Sequence, residues 1–112
     1  MKKVLFIFLM LSFLLVSNGI CGEWTCDSTN GCNPTNDAGT ITNFKTSNNV
    51  KILVNSEAQS YAAVSGHTNG DREYGAASDT TKIYYKSKTP GTELSDSPSE
   101  SNSTSFDGWS EL

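Results

Sequence analysis

The chain is poor in the residues that do chemistry. Its 112 residues include one histidine, three cysteines and two methionines. The lone His67 has no second histidine with which to build a metal set. No nucleophile–base arrangement can be assembled around it. C-x-x-C-H is absent, so covalent haem is not indicated. Met1 and Met10 both lie within the first 21 residues, so no thioether ligand follows them. Basic residues are scarce, 8 against 12 acidic ones. A nucleic-acid binder needs a basic face, and so does a protein held at an anionic membrane surface. Both classes are disfavoured, and the acidity reads as solubility. These residues offer no catalytic constellation and select no cofactor or metal.

Long hydrophobic runs are also missing, with one exception. Lys2 and Lys3 precede the apolar run from Val4 to Val16, followed by Ser17-Asn18-Gly19. A basic start, an apolar middle and a small-residue zone have the layout of a secretory signal peptide. The run is too short to span a bilayer, which takes ~20 residues. Residues 1–21 therefore read as a cleavable leader that exports the chain, and residues 22–112 as a single domain of about 90 residues. Cleavage after Gly19, Cys21 or Gly22 fits the small-residue zone, so Cys21 either stays or leaves. Lipidation of Cys21 is disfavoured by Ile20 before it and Asn18 at −3, where small and aliphatic residues are usual. Loss of the two leader lysines takes the net charge to about −6.

A domain this small buries a modest core and often needs a staple or a partner. Export would place it where cysteines pair. Cys26 and Cys32 bracket the turn-rich Asp27-Ser28-Thr29-Asn30-Gly31, and a Cys26–Cys32 disulfide is the natural reading. Asp27, Asn30, Asn33 and Asp37 cluster oxygen side chains around it. Their spacing does not match an EF-hand, and turn chemistry is favoured over calcium. Asn102-Ser103-Thr104 is a glycosylation sequon by pattern, read as chance in a Ser-rich tail.

Turn formers dominate Glu23 to Thr40, which reads as loop, with Trp24 packing back on the domain. Strands are expected at Thr40–Lys45, Val50–Val54, Tyr61–His67, Arg72–Ala76 and Thr81–Lys86. Val50, Ile52 and Val54 share one face, with Leu53 on the other beside Lys51 and Asn55. A turn follows at Ser56–Gln59. Asn69-Gly70 marks a hairpin, because that pair readily takes positive φ. Thr81, Ile83 and Tyr85 line one face of the last strand; Lys82, Tyr84 and Lys86 line the other. The Ser-, Asp- and Glu-rich segment 92–105 reads as a mobile excursion. Phe106, Trp109 and Leu112 return to apolar character and are expected to dock on the sheet. The fold class is mainly β: a small antiparallel meander of four to five strands with long loops. No segment offers an amphipathic helix to cover that sheet. Some cover is therefore expected from another chain. Leu53, Tyr61, Tyr84 and Trp109 are the candidate subunit contacts, since Tyr serves both buried and half-wet surfaces.

A resemblance runs through these strands. It lies in Asn49–Val54, Tyr61–His67, Gly70-Asp71-Arg72-Glu73-Tyr74-Gly75, Lys82–Lys86 and Phe106-Asp107-Gly108-Trp109. Together they resemble the globular C-terminal portion of type IV pilins, in particular the separately encoded geopilin domain 2. The departure from whole pilins is the missing retained helix. In the split arrangement that helix is a second, short polypeptide. The resemblance implies a structural subunit, not an enzyme, carrying no cofactor. It would be exported through the periplasm into a cell-surface pilus-like or pseudopilus filament. Its partners would be a short helical pilin and neighbouring copies, with no nucleic acid and no membrane in the mature form. The alternative reading is a free secreted binding module, an adhesin or inhibitor held by its disulfide.

Overall fold

The structure is a computed structural model. It describes residues 22–33, 35–36, 39–40, 43–94 and 97–112. The expected leader 1–21, with Cys21, lies outside the described residues. The strands run β1 (Gly22–Cys26), β2 (Thr35–Asn36), β3 (Gly39–Thr40), β4 (Val50–Glu57), β5 (Ser60–His67), β6 (Arg72–Ala77), β7 (Tyr84–Ser87) and β8 (Ser110–Glu111), with one turn of 3-10 helix at Ser103–Phe106 before β8. Six strands form one antiparallel sheet in the order β1-β4-β5-β6-β7-β8, and β2 pairs with β3 alone.

The centre of the sheet forms where the alternation is strongest. β4 and β5 pair over eight positions, from Val50↔His67 to Glu57↔Ser60. Only Ala58 and Gln59 are left to turn, so β4 runs through the expected turn at Ser56. The β5–β6 hairpin forms, but not by the expected route. Neither Asn69 nor Gly70 has positive φ. The Gly70 amide donates to the His67 carbonyl at 2.9 Å instead. Its four-residue loop suits a type I turn, which needs only negative φ. Positive φ falls on Asn43 (56°) and Asn49 (61°).

Three other expectations are corrected. Residues 23–40 are not all loop: β1 pairs with β4 from Gly22↔Ser56 to Cys26↔Ile52. Its partner lies far along the chain, and the local turn formers hid the pairing. The expected strand Thr40–Lys45 reduces to the end of β3 and a Cys32↔Phe44 bridge, while residues 41–42 lie outside the described residues. The last long strand begins at Tyr84 rather than Thr81. The Cys26–Cys32 disulfide is present and ties β1 to the loop that follows it.

The largest correction concerns segment 92–105. Its described residues lie across one face of the sheet as a strap. The Asn55 side-chain amide donates to the Pro98 carbonyl (3.1 Å), and the Ser60 and Ser101 hydroxyls share a hydrogen bond (2.7 Å). Asp79 accepts from both the Ser103 amide (2.9 Å) and the Ser103 hydroxyl (2.7 Å). These two bonds hold its carboxyl below the ordinary value, the hydroxyl bond most strongly. Phe106 is the wedge at the end of the strap, 2 % exposed, stacked on Tyr84 (5.1 Å) with Trp109 edge-on (5.2 Å). The described Ser-rich residues of the strap are held because their hydrogen bonds end on Asn55, Ser60, Asp79 and each other.

Two strand glycines make room for this cover. A Cβ on Gly75 would fall 2.4 Å from the Phe106 ring, and one on Gly66 would fall 2.6 Å from a Leu94 methyl. The core is thus Leu53, Ala62, Val64, Ala77 and Phe106, with Tyr84, Leu94 and Trp109 packed around it. Burying a side chain like Phe106 contributes about 1.5–3 kcal/mol. Trp109 is half-buried, whereas the Leu112 side chain is 72 % exposed, with only its amide bonded to the Ile83 carbonyl (2.9 Å). The core face therefore takes its cover from this chain's own C-terminal segment.

Candidate partner-binding face

Register divides the strand residues between two unlike faces. Leu53, Ala62, Val64, Gly75, Ala77 and Tyr84 lie under the strap. Trp24, Val50, Ile52, Val54, Ala63, Tyr74, Ala76 and Tyr85 point the other way. None of these eight is buried, and Tyr74 is 40 % exposed. Cys26 is the buried residue on this side, held by the disulfide. The strand that best fits a core by alternation, Val50-Ile52-Val54, thus turns its apolar side to the open face.

The open face has a shape. Along one row stand Ile52, Ser65, Tyr74 and Tyr85; along the next stand Trp24, Val54, Ala63 and Ala76. On β5 the small Ala63 and Ser65 stand between Tyr61 and His67, with Ile52 and Val54 of β4 on one side and Tyr74 and Ala76 of β6 on the other. The middle of the face is thus a patch of small side chains with larger ones around it. Ala63, Ser65 and Ala76 let a second backbone approach closely.

Charge divides in the same way. All acidic residues of the six paired strands, Glu23, Glu57, Glu73 and Glu111, fall on the strap side. Glu73 is fully buried there, 3.9 Å from the Lys86 ammonium, which also lies over the Trp109 ring. Lys82 meets Glu111 at 2.8 Å, and this hydrogen bond is the main cause of its raised pKa. The open face carries no strand carboxylate. Its basic side chains are those of His67 and Arg72, the only histidine and the only arginine of the chain.

The structure separates the four candidate contacts. Leu53 is 7 % exposed and belongs to the core, because the strap covers its face. Tyr84 and Trp109 pack on Phe106 in the same assembly. Tyr61 stands on the open face, 47 % exposed. Trp24, Ile52, Val54, Tyr74 and Tyr85 were not singled out as contacts from the sequence. The signal that finds them is shared parity, once the strand order β1-β4-β5-β6-β7 is known.

Around the disulfide, Asp27 accepts hydrogen bonds from the Asn30 amide (2.7 Å) and the Thr29 amide (2.8 Å). The Asn30 amide bond is the main cause of its lowered pKa. Asn33 accepts from the Asn43 amide at 2.8 Å. These oxygens are used in turns, and Asp37 lies outside the described residues. Among the described residues no group of three His, Cys, Asp or Glu side chains is placed to hold a metal ion.

Comparison with protein families, with curated proteins and with solved structures finds no match to this chain.

Proposed function

We propose that the chain is a structural subunit of a pilus-like or pseudopilus filament, paired with a separate, short helical pilin. The observation that carries this reading is the open sheet face. It is largely apolar and free of strand carboxylates, with the small side chains of Ala63, Ser65 and Ala76 at its middle. Contiguous apolar patches of this kind mark protein contacts. The pilin-like residues named above lie largely on β4 to β7, the strands that build most of this face. Export by the leader would deliver the subunit to the periplasm and then to the cell surface.

Filaments sheared from the producing cells and identified by mass spectrometry test the reading. The processed chain is expected in near-equal amount with a short, helix-only pilin. Trp24→Ser/Tyr74→Ser is expected to fold but to drop out of the filament fraction, because Trp24 is only half-buried, Tyr74 is exposed and neither belongs to the core. Wild-type chain found only free in the periplasm or medium overturns the filament reading. A second reading has one observation in its favour. The strap gives one face of the sheet its own cover and the disulfide ties β1 to the loop after it, as a free secreted binding module requires. That module would stay soluble and unpaired in the same experiment.

A further inference from the structure

The strap carries a motif that the filament reading does not use. Asn102-Ser103-Thr104 matches the N-glycosylation acceptor N-x-[ST], in which x is any residue but proline. Asn33-Pro34-Thr35 has suitable outer residues but is excluded by its proline. In a mobile Ser-rich tail such a triplet would mean little. In the strap each of its side chains has a defined place.

Asn102 stands just before the 3-10 turn with extended backbone, φ −147° and ψ −179°. Its Oδ1 accepts from the Thr104 amide (2.9 Å) and from the Thr104 hydroxyl (2.5 Å). The carboxamide and the hydroxyl, the two groups that define the motif, therefore face each other across Ser103. Ser103 is engaged elsewhere, with its amide and hydroxyl both donating to Asp79 (2.9 and 2.7 Å). The side-chain nitrogen of Asn102 is left over. Among the described residues Nδ2 finds no acceptor. No buried side-chain nitrogen among those residues lacks a partner, so Nδ2 is open to solvent.

We propose that Asn102 is an N-glycosylation site, modified during export by transfer from a lipid-pyrophosphate-linked oligosaccharide. Nδ2 attacks the anomeric carbon of the first sugar. The bond from Nδ2 to that carbon forms, and the bond from that carbon to the pyrophosphate oxygen breaks. The lipid pyrophosphate leaves, and Nδ2 gives one proton to a base of the transferase. Oδ1 and one N–H remain, so both Thr104 bonds survive the modification. Transfer precedes closure of the strap, because closure ties Ser103 to Asp79 and buries Ser101. The sugar then stands on the strap side of the sheet, away from Ile52, Val54 and Tyr74. It adds bulk and solubility there and leaves the open face free for a partner. The site rests on the export reading and not on the filament.

The test takes the chain from the envelope and medium of the producing cells. Lys88 is the last lysine or arginine, so trypsin releases residues 89–112 as one peptide, with Asn102 as its only asparagine. The expected result is added sugar mass on this peptide, placed on Asn102 by electron-transfer fragmentation. Thr104→Ser keeps a hydroxyl and should keep the sugar. Asn102→Gln and the near-isosteric Thr104→Val should lose it. Sugar on serine or threonine alone, sugar that survives Thr104→Val, or an unmodified Asn102 in the exported chain overturns the site and leaves export standing. A chain found only inside the cell with residues 1–21 still attached overturns export and the site with it. Presence in the sheared filament fraction is scored separately, so the filament reading stands or falls on its own.

Discussion

Gly75→Ala isolates the contact that closes the fold. A Cβ at this position would meet three Phe106 ring carbons at 2.4, 2.7 and 2.8 Å. Ordinary carbon contacts lie near 3.5–4.0 Å, so the ring must retreat by about 1 Å. It has little room, with Tyr84 stacked on it and Trp109 at its edge. Gly75 does not have positive φ, so alanine itself is unstrained there. The cost is therefore overpacking alone, about 1–3 kcal/mol. Phe106→Ala should cost about 3–5 kcal/mol by emptying the same site. In that background the sign of Gly75→Ala should reverse. Alanine is a better strand residue than glycine by about 0.5–1 kcal/mol, and nothing then opposes it. Urea unfolding of wild type, both single variants and the double variant, followed by tryptophan fluorescence, completes the cycle. A neutral Gly75→Ala, or one equally destabilising without the Phe106 ring, refutes the placement of the strap.

Two further outcomes follow from the two ends of the fold. Replacing Cys26 and Cys32 by serine releases a loop closed over a sequence separation of 6. Loop entropy puts the loss at about 2 kcal/mol, read as a lower urea midpoint that equals that of the reduced wild type. At the strap, the Asp79 carboxyl is depressed below 3.8, chiefly by the Ser103 hydroxyl. Its stabilising effect is present above pH 3.8 and is lost as pH falls through the lower folded-state value. Wild type should therefore lose more stability than Asp79→Asn below about pH 4. Parallel pH profiles for the two proteins would show that the Asp79–Ser103 bonds do not hold the strap.

The central hairpins were legible because their signals are local. Val50-Ile52-Val54 alternate, and Asn69-Gly70 stands between two strand patterns, so partners a few residues apart needed no knowledge of the rest. The mechanism of the second turn was still misjudged. A four-residue loop removed the demand for positive φ that the dipeptide suggested. β1 and the strap were missed for one reason: each is ordered by residues distant in sequence. Glu23 to Thr40 looks like loop until Trp24 and Cys26 lie beside Val54 and Ile52. The Ser-rich segment looks mobile until Ser60, Asn55 and Asp79 accept or donate its hydrogen bonds. Gly66 and Gly75, two glycines inside strands, were the available hint that something approaches closely.

By itself, the sequence determined the β class, the strand parity, the Cys26–Cys32 pairing and the scarcity of catalytic side chains. Parity says which residues share a face, because alternate side chains point to opposite sides of a strand. It does not say which face is covered. Only the tertiary structure decided that the strap lies over Leu53 and Val64, leaving Ile52, Val54 and Tyr74 open. That choice depends on whether Phe106 and Leu94 find the gaps at Gly75 and Gly66, a match between surfaces that no window of sequence contains.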